Sequence, residues 1–150
     1  GADTITGGAG VDTFDYQTVD DSTATVMDTI TDFAAGATGD IIDFDTGGDD
    51  GGGGDAALAG NVANEFASGI ATGSLATAIA ADTTLSAAIT EFLAAASFAD
   101  NDVGGFTYGG NTYVVHADAN NAAGNIVELQ GIVATSIAEI GTTDSYNIIV

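Results

Sequence analysis

Apolar positions along the chain recur with two different spacings. In TVMDTITDFAAGATGDIIDF (25–44), Val26, Ile30 and Phe33 mark one run and Ile41, Ile42 and Phe44 a second, each broken by polar residues. Alternation of this kind predicts two half-buried strands joined by a glycine-containing loop. From Asp55 to Ala99 the spacing lengthens. Leu58, Val62, Phe66 and Ile70 recur every four residues, and Leu85, Ile89, Phe92, Leu93 and Ala96 follow the i, i+4, i+7, i+8 spacing of a helix face. Asp82 is the expected N-cap of the second run, and Leu75 and Ile79 form a shorter helical turn between the two. Small residues on the other faces permit close packing, within the domain or against a neighbouring molecule; the plainer reading is a helical pair covering one face of a sheet.

The last fifty residues return to strand patterning. Phe106-Thr107-Tyr108 and Thr112-Tyr113-Val114-Val115 flank Gly109-Gly110, a two-residue loop suited to a hairpin. Ile126-Val127-Glu128-Leu129 is a further strand. Asp118, Asn120 and Gly124 faintly echo a calcium hand, but Leu129 occupies its acidic closing position, so the turn reads as structural. His116, beside it, reads as a surface or strand histidine rather than a ligand.

Charge changes this picture more than any other feature. Among 150 residues there are 22 acidic side chains and no Lys or Arg, for a formal net charge of −22. Nucleic acid, anionic membranes and phosphate ligands are thereby excluded as partners, because each is gripped by cationic side chains. The carboxylates also lack any internal Lys or Arg to pair with, which leaves metal cations or concentrated salt to offset them. Asp accounts for 18 of the 22, and 13 of those fall within the first 55 residues. Short carboxylates among glycines suit tight metal-binding loops better than a merely solvated surface.

Catalysis is not expected. With no Lys or Arg there is no side-chain clamp for an oxyanion or a phosphate, and a single His leaves little to activate a nucleophile. The absence of cysteine removes disulfides and thiolate sites. No apolar run approaches the ~20 residues of a membrane span, so membrane insertion is not expected. Proline is missing, so chain reversals rest on Gly, Asn and Asp.

The densest chemistry lies in GGAGVDTFD (7–15). Gly10-Val11-Asp12-Thr13-Phe14-Asp15 repeats the residue types of Gly1-Ala2-Asp3-Thr4-Ile5-Thr6 nine positions earlier. Glycines at these places permit positive φ and let backbone carbonyls turn toward a cation, while the aspartate adds the hard, charged oxygen that Ca²⁺ prefers. Gly1, Asp3, Gly7, Gly8, Gly10 and Asp12 are the candidate metal residues; a Gly-Asp turn that holds no metal is the alternative.

This pattern, G-G-x-G-x-D-x-U-x, resembles the nonapeptide of RTX (repeats-in-toxin) proteins. Residues 7–15 are similar to one complete repeat, and residues 1–6 to the last six positions of another. The following segment, with Asp28, Asp32, Phe33, Asp40 and Asp43, is similar to the one after the repeats in serralysin-type C-terminal domains, with a slightly longer loop. The resemblance implies a parallel β-roll in which two nonapeptides complete a coil and Ca²⁺ lies between stacked turns. It also implies that Asp32 and Asp40 help close the last calcium site, the alternative being solvated carboxylates that discourage edge pairing.

The expected fold is mainly β: the end of a parallel β-roll running into a β-sandwich, with an inserted Ala-rich helical segment. Residues 1–16 are the last nonapeptides, 17–54 strands with a Gly/Asp-rich loop, 55–99 the helical insertion and 100–150 the closing strands. Within DTGGDDGGGGDAAL (45–58), Asp45, Asp49, Asp50 and Asp55 belong either to a solvated linker or to a further calcium loop. The closing TTDSYNIIV is similar to the tails read by type I secretion systems.

The expected function is an extracellular, non-catalytic, calcium-binding module that folds on Ca²⁺ after export. Its expected partners are upstream repeats of the same parent chain and the type I secretion apparatus. The alternative is a self-associating subunit of a calcium-dependent surface layer, fibre or adhesin. Both place the chain outside the cell or at its surface.

Overall fold

The computed structural model describes residues 1–18, 21–44, 57–58, 65–95, 102–117, 123–140 and 145–150. The chain starts with four short strands, β1 (Thr4–Ile5), β2 (Thr13–Asp15), β3 (Asp28–Ile30) and β4 (Ile41–Asp43). They alternate between two sheets. β1 pairs in parallel with β3, Thr4 opposite Thr29 and Ile5 opposite Ile30. β2 pairs in parallel with β4, Phe14 opposite Ile42. Phe14 and Ile42, central in β2 and β4, are buried between more exposed neighbours, and in β3 the two ends, Asp28 and Ile30, are buried with Thr29 between them more exposed, as a two-residue period dictates.

Three short strands and two helices follow: β5 (Ala57–Leu58), β6 (Phe66–Ala67), β7 (Ile70–Ala71), α1 (Gly73–Ala81) and α2 (Leu85–Leu93). The remaining strands are β8 (Asp102–Tyr108), β9 (Asn111–Ala117), β10 (Ala123–Leu129), β11 (Ser136–Glu139) and β12 (Ser145–Ile149). Among the described residues the larger sheet runs β1-β3-β10-β9-β8-β7-β6, with β5 also on β8, and the smaller runs β11-β12-β4-β2. The anticipated hairpin is β8–β9. It closes between Tyr108 and Asn111 through Gly109 (φ 60°) and Gly110 (φ 88°), the left-handed pair that a two-residue turn demands.

Two apolar clusters make three layers. Phe14, Ile42, Phe44, Tyr146 and Ile148 of the smaller sheet pack on Val103, Val114, Val127 and Leu129 of the larger. On the other face, Tyr113, Val115 and Ile126 pack against Leu75, Ile79, Ile89 and Phe92 of the helices. β9 therefore alternates between two buried faces and is buried almost throughout. His116 is a strand histidine of this kind, 2% exposed and stacked on Phe44 at 5.5 Å between ring centroids.

The helical stretch departs from its expected bounds. Phe66 and Ile70, spaced as a helix face, lie instead in the antiparallel pair β6–β7, reversed through Ser68 (φ 48°) and Gly69 (φ 76°). Four-residue spacing across a glycine-punctuated segment mimicked a helix, and tertiary pairing with β8 decided otherwise. Leu75 and Ile79, expected as one turn, are the buried face of the full helix α1. The N-cap of α2 is Thr84, whose Oγ1 accepts from Ala87 N; Asp82 is the C-cap of α1. Both helices cover the larger sheet through Leu75, Ile79, Ala88, Ile89 and Phe92, while most of their other small residues stay exposed or half-buried. No helix of the described residues is long and apolar enough to cross a membrane.

Candidate functional site

Parallel stacking places the loop 6–12, between β1 and β2, against the loop 31–40, between β3 and β4. The second loop carries carboxylates that bind the amides of the first. Asp32 accepts from Gly7 N through Oδ1 and from Gly8 N through Oδ2, each at 2.9 Å. Asp40, 2% exposed, accepts from Asp12 N at 3.0 Å through Oδ1 and from Ala34 N at 2.8 Å through Oδ2. At the far end of the β1–β3 pair, Asp28 Oδ1 accepts from Asp3 N at 2.9 Å. A carboxylate that accepts two backbone amides is stabilised without any cationic partner. Three of the aspartates therefore tie one coil of chain to the next, in a molecule with no Lys or Arg.

Asp12 differs from these three. Its Oδ2 is shut off from solvent and has no hydrogen-bond partner. It packs against Gly7 so closely that a Cβ there would lie 2.7 Å from this oxygen. Gly7 is thus required by the carboxylate's approach, whereas Gly8 (φ 97°) and Gly10 (φ 131°) are required by left-handed backbone. A charged oxygen buried without a donor is costly, and beside a glycine-rich loop it fits a hard cation. Among the described residues no three His or acidic side chains converge closely enough to hold one ion. Any calcium held here would take Asp12 as its charged ligand and complete its shell with loop carbonyls or water.

The candidate residues thus divide into two groups. Gly7, Gly8, Gly10, Asp12, Asp32 and Asp40 come together at one end of the stacked loops. Gly1 and Asp3 lie at the other, beside Asp28, and Asp3 is exposed. Asp45, Asp49, Asp50 and Asp55 lie outside the described residues, as do Asp118 and Asn120.

Asp28 was not singled out as a site residue, although the sequence carries its signal. Asp3-Thr4-Ile5-Thr6 recurs identically as Asp28-Thr29-Ile30-Thr31, and those tetrapeptides are the ones that stack. The match continues in the side chains, with Thr6 Oγ1 and Thr31 Oγ1 3.0 Å apart.

Residues 1–50 match the family model described as Peptidase M10 serralysin C terminal. This third of the chain is similar to the serralysin C-terminal family. It covers both stacked loops and all eight candidate metal residues, and it stops short of the helix pair. No curated protein and no solved structure shows significant similarity to the chain. The matched family is a C-terminal region rather than a catalytic one, in keeping with a non-enzymatic role for this segment.

Proposed function

We propose that the chain is the calcium-binding, non-catalytic C-terminal module of a type I secreted RTX protein, working outside the cell. The carrying observation is the buried, unpartnered Oδ2 of Asp12 inside the nonapeptide. The serralysin C-terminal match over residues 1–50 supports the same reading. So do the parallel pairs β1–β3 and β2–β4, which alternate between two sheets as successive strands of a β-roll would.

The chain's own residues would act as follows. Asp28, Asp32 and Asp40 dock the second coil on the first through amide hydrogen bonds, which sets the loop 6–12 in place. That docking presses Asp12 against Gly7 with one oxygen unsatisfied. Calcium supplies the positive charge that this oxygen lacks. In a calcium-poor cytoplasm the carboxylate repulsion of a −22 chain favours the unfolded, exportable state. Outside, calcium binds only the folded loops and shifts the equilibrium by mass action, about 2.7 kcal/mol at a hundred times the Kd.

The measurement is a Ca²⁺ titration of chelator-treated protein, followed by circular dichroism and light scattering together. A gain of β signal at constant monomer mass is expected. A simultaneous rise in scattering would point instead to a calcium-dependent array. The helix pair spends its apolar residues on the larger sheet, which supports the monomeric outcome. No change in either channel would overturn both.

A further inference from the structure

A cleft of about 400 Å³ opens at the end of the β1–β3 pair remote from Asp12. Asp3, Asp15 and Asp21 form its exposed rim, and the buried Asp28 and Tyr16 belong to its floor. Ile5 and Phe14 give it an apolar wall. Four carboxylates share this space with no Lys or Arg in the chain, and the Gly1 α-ammonium is the one cation among the lining residues.

The acidic residues alone would be a solvated surface; Tyr16 adds an independent observation. Its side chain is 4% exposed, and its hydroxyl is buried with no hydrogen-bond partner. Burial first, then the charges of Asp28, Asp21 and Asp3, push its ionisation well above the ordinary tyrosine range. The hydroxyl stays a neutral phenol, with neither lone pair taken by another group of the protein. Several rim and floor oxygens are already in use: Asp15 Oδ2 accepts from Gln17 Nε2, Asp21 accepts from Thr18 N and Oγ1, and Asp28 Oδ1 accepts from Asp3 N. These bonds fix the carboxylates in position but neutralise none of them.

The shape and lining argue against a bare metal ion. Among the described residues no three acidic groups converge on one point, and the cleft has the volume of a small-molecule site. An apolar wall with an acidic rim suits a cation carried on an alkyl stem, and the Tyr16 and Phe14 rings suit the same ligand. We propose that this cleft binds a free aliphatic polyamine. One ammonium donates to Tyr16 Oη and Asp28 on the floor, the stem lies over Ile5 and Phe14, and a second ammonium reaches the rim.

The test is calorimetric titration of the whole chain with spermidine at about 0.15 M NaCl, where exposed charges more than ~8 Å apart are largely screened. Tyr16→Phe removes the acceptor without changing net charge, so diffuse attraction to an acidic protein is unaffected. The expected result is saturable binding of one spermidine, weakened at least about fivefold in Y16F, as loss of one hydrogen bond to a charged group requires. Glu139→Gln, a charge loss at an exposed site on β11, should stay within about twofold. Without ligand, Y16F should melt about 3 °C higher, because an unsatisfied buried hydroxyl is gone, and it should lose the spermidine-dependent rise in Tm. Equal affinity in Y16F and the parent overturns the proposal, as does unsaturable binding. Stoichiometric displacement by Ca²⁺ would reassign the cleft to a metal ion. Equal affinity for a lysine tripeptide would reassign it to a basic protein partner. Either result contradicts a polyamine site.

Discussion

Replacing Asp40 by Ala should destabilise the protein by about 2–4 kcal/mol, since each amide left without its acceptor costs roughly 1–3 kcal/mol where water is excluded. Asp40 is the most buried of the clamp residues, at 2% exposure. Its two oxygens hold amides from two loops, Asp12 N at 3.0 Å and Ala34 N at 2.8 Å. Removing the carboxylate would release both and leave a cavity beneath β4. Asp40→Asn keeps one acceptor oxygen and should lose about half as much. Asp32 makes the same pair of contacts from an exposed position, where water replaces the lost acceptor, so Asp32→Ala should cost about 1 kcal/mol or less. Thermal or urea denaturation of the three variants gives the ranking. Equal losses for Asp40→Ala and Asp32→Ala would mean that burial is not what makes the clamp matter.

Gly39→Ala should be at least as damaging, about 3 kcal/mol or more, because overpacking against fixed atoms forces the backbone to move. A Cβ at Gly39 would lie 1.9 Å from the carbonyl oxygen of Ala34 and 3.0 Å from the carbonyl carbons of Ala34 and Ala35. All three are backbone atoms, so no side-chain rotation relieves the contact. The same segment is closed by Gly39 N donating to Gly36 O at 2.9 Å and Asp40 N donating to Ala34 O at 2.8 Å. Relieving the clash would open this turn and withdraw Asp40 from Asp12. Gly36→Ala offers a contrast: its φ of 134° strains any side chain, but no atom stands within 4 Å of the added carbon. A Gly39→Ala protein with parental urea midpoint would show that the loop moves freely and does not fix the carboxylate.

The strand pattern was legible because the period of two is imposed by burial. Of the residues marked from spacing, Ile30, Phe33, Ile42 and Phe44 are buried, with Ile30 in β3 and Ile42 in β4, whereas Ile41 is half-buried and Val26 is 40% exposed and precedes β3. The hairpin at Gly109-Gly110 was legible for a different reason, since few residues other than glycine enter two consecutive left-handed positions. The pair β6–β7 was not, because apolar residues four apart satisfy a helix template even when a left-handed Ser68-Gly69 turn lies between them. At the site, the glycines and Asp12 were recognisable from the nonapeptide. The amide partners of Asp28, Asp32 and Asp40 were not, because they depend on stacking across 24 to 28 residues of chain. An acidic chain without Lys or Arg was expected to need metal cations or concentrated salt to offset its carboxylates. In the folded structure backbone N–H groups take that role at Asp28, Asp32 and Asp40, and among the described residues the buried carboxylate oxygens without a partner narrow to Asp12 in the stacked loops and Asp82 beside the helices.

That narrowing gives the most direct test of calcium binding. Crystals of the chain soaked in millimolar CaCl₂ and measured for anomalous scattering should show an ion within about 2.3–2.6 Å of Asp12 Oδ2, the usual Ca²⁺–oxygen distance. Density that leaves Asp12 Oδ2 without an ion, with Gly7 and Gly8 still clamped by Asp32, would contradict the account.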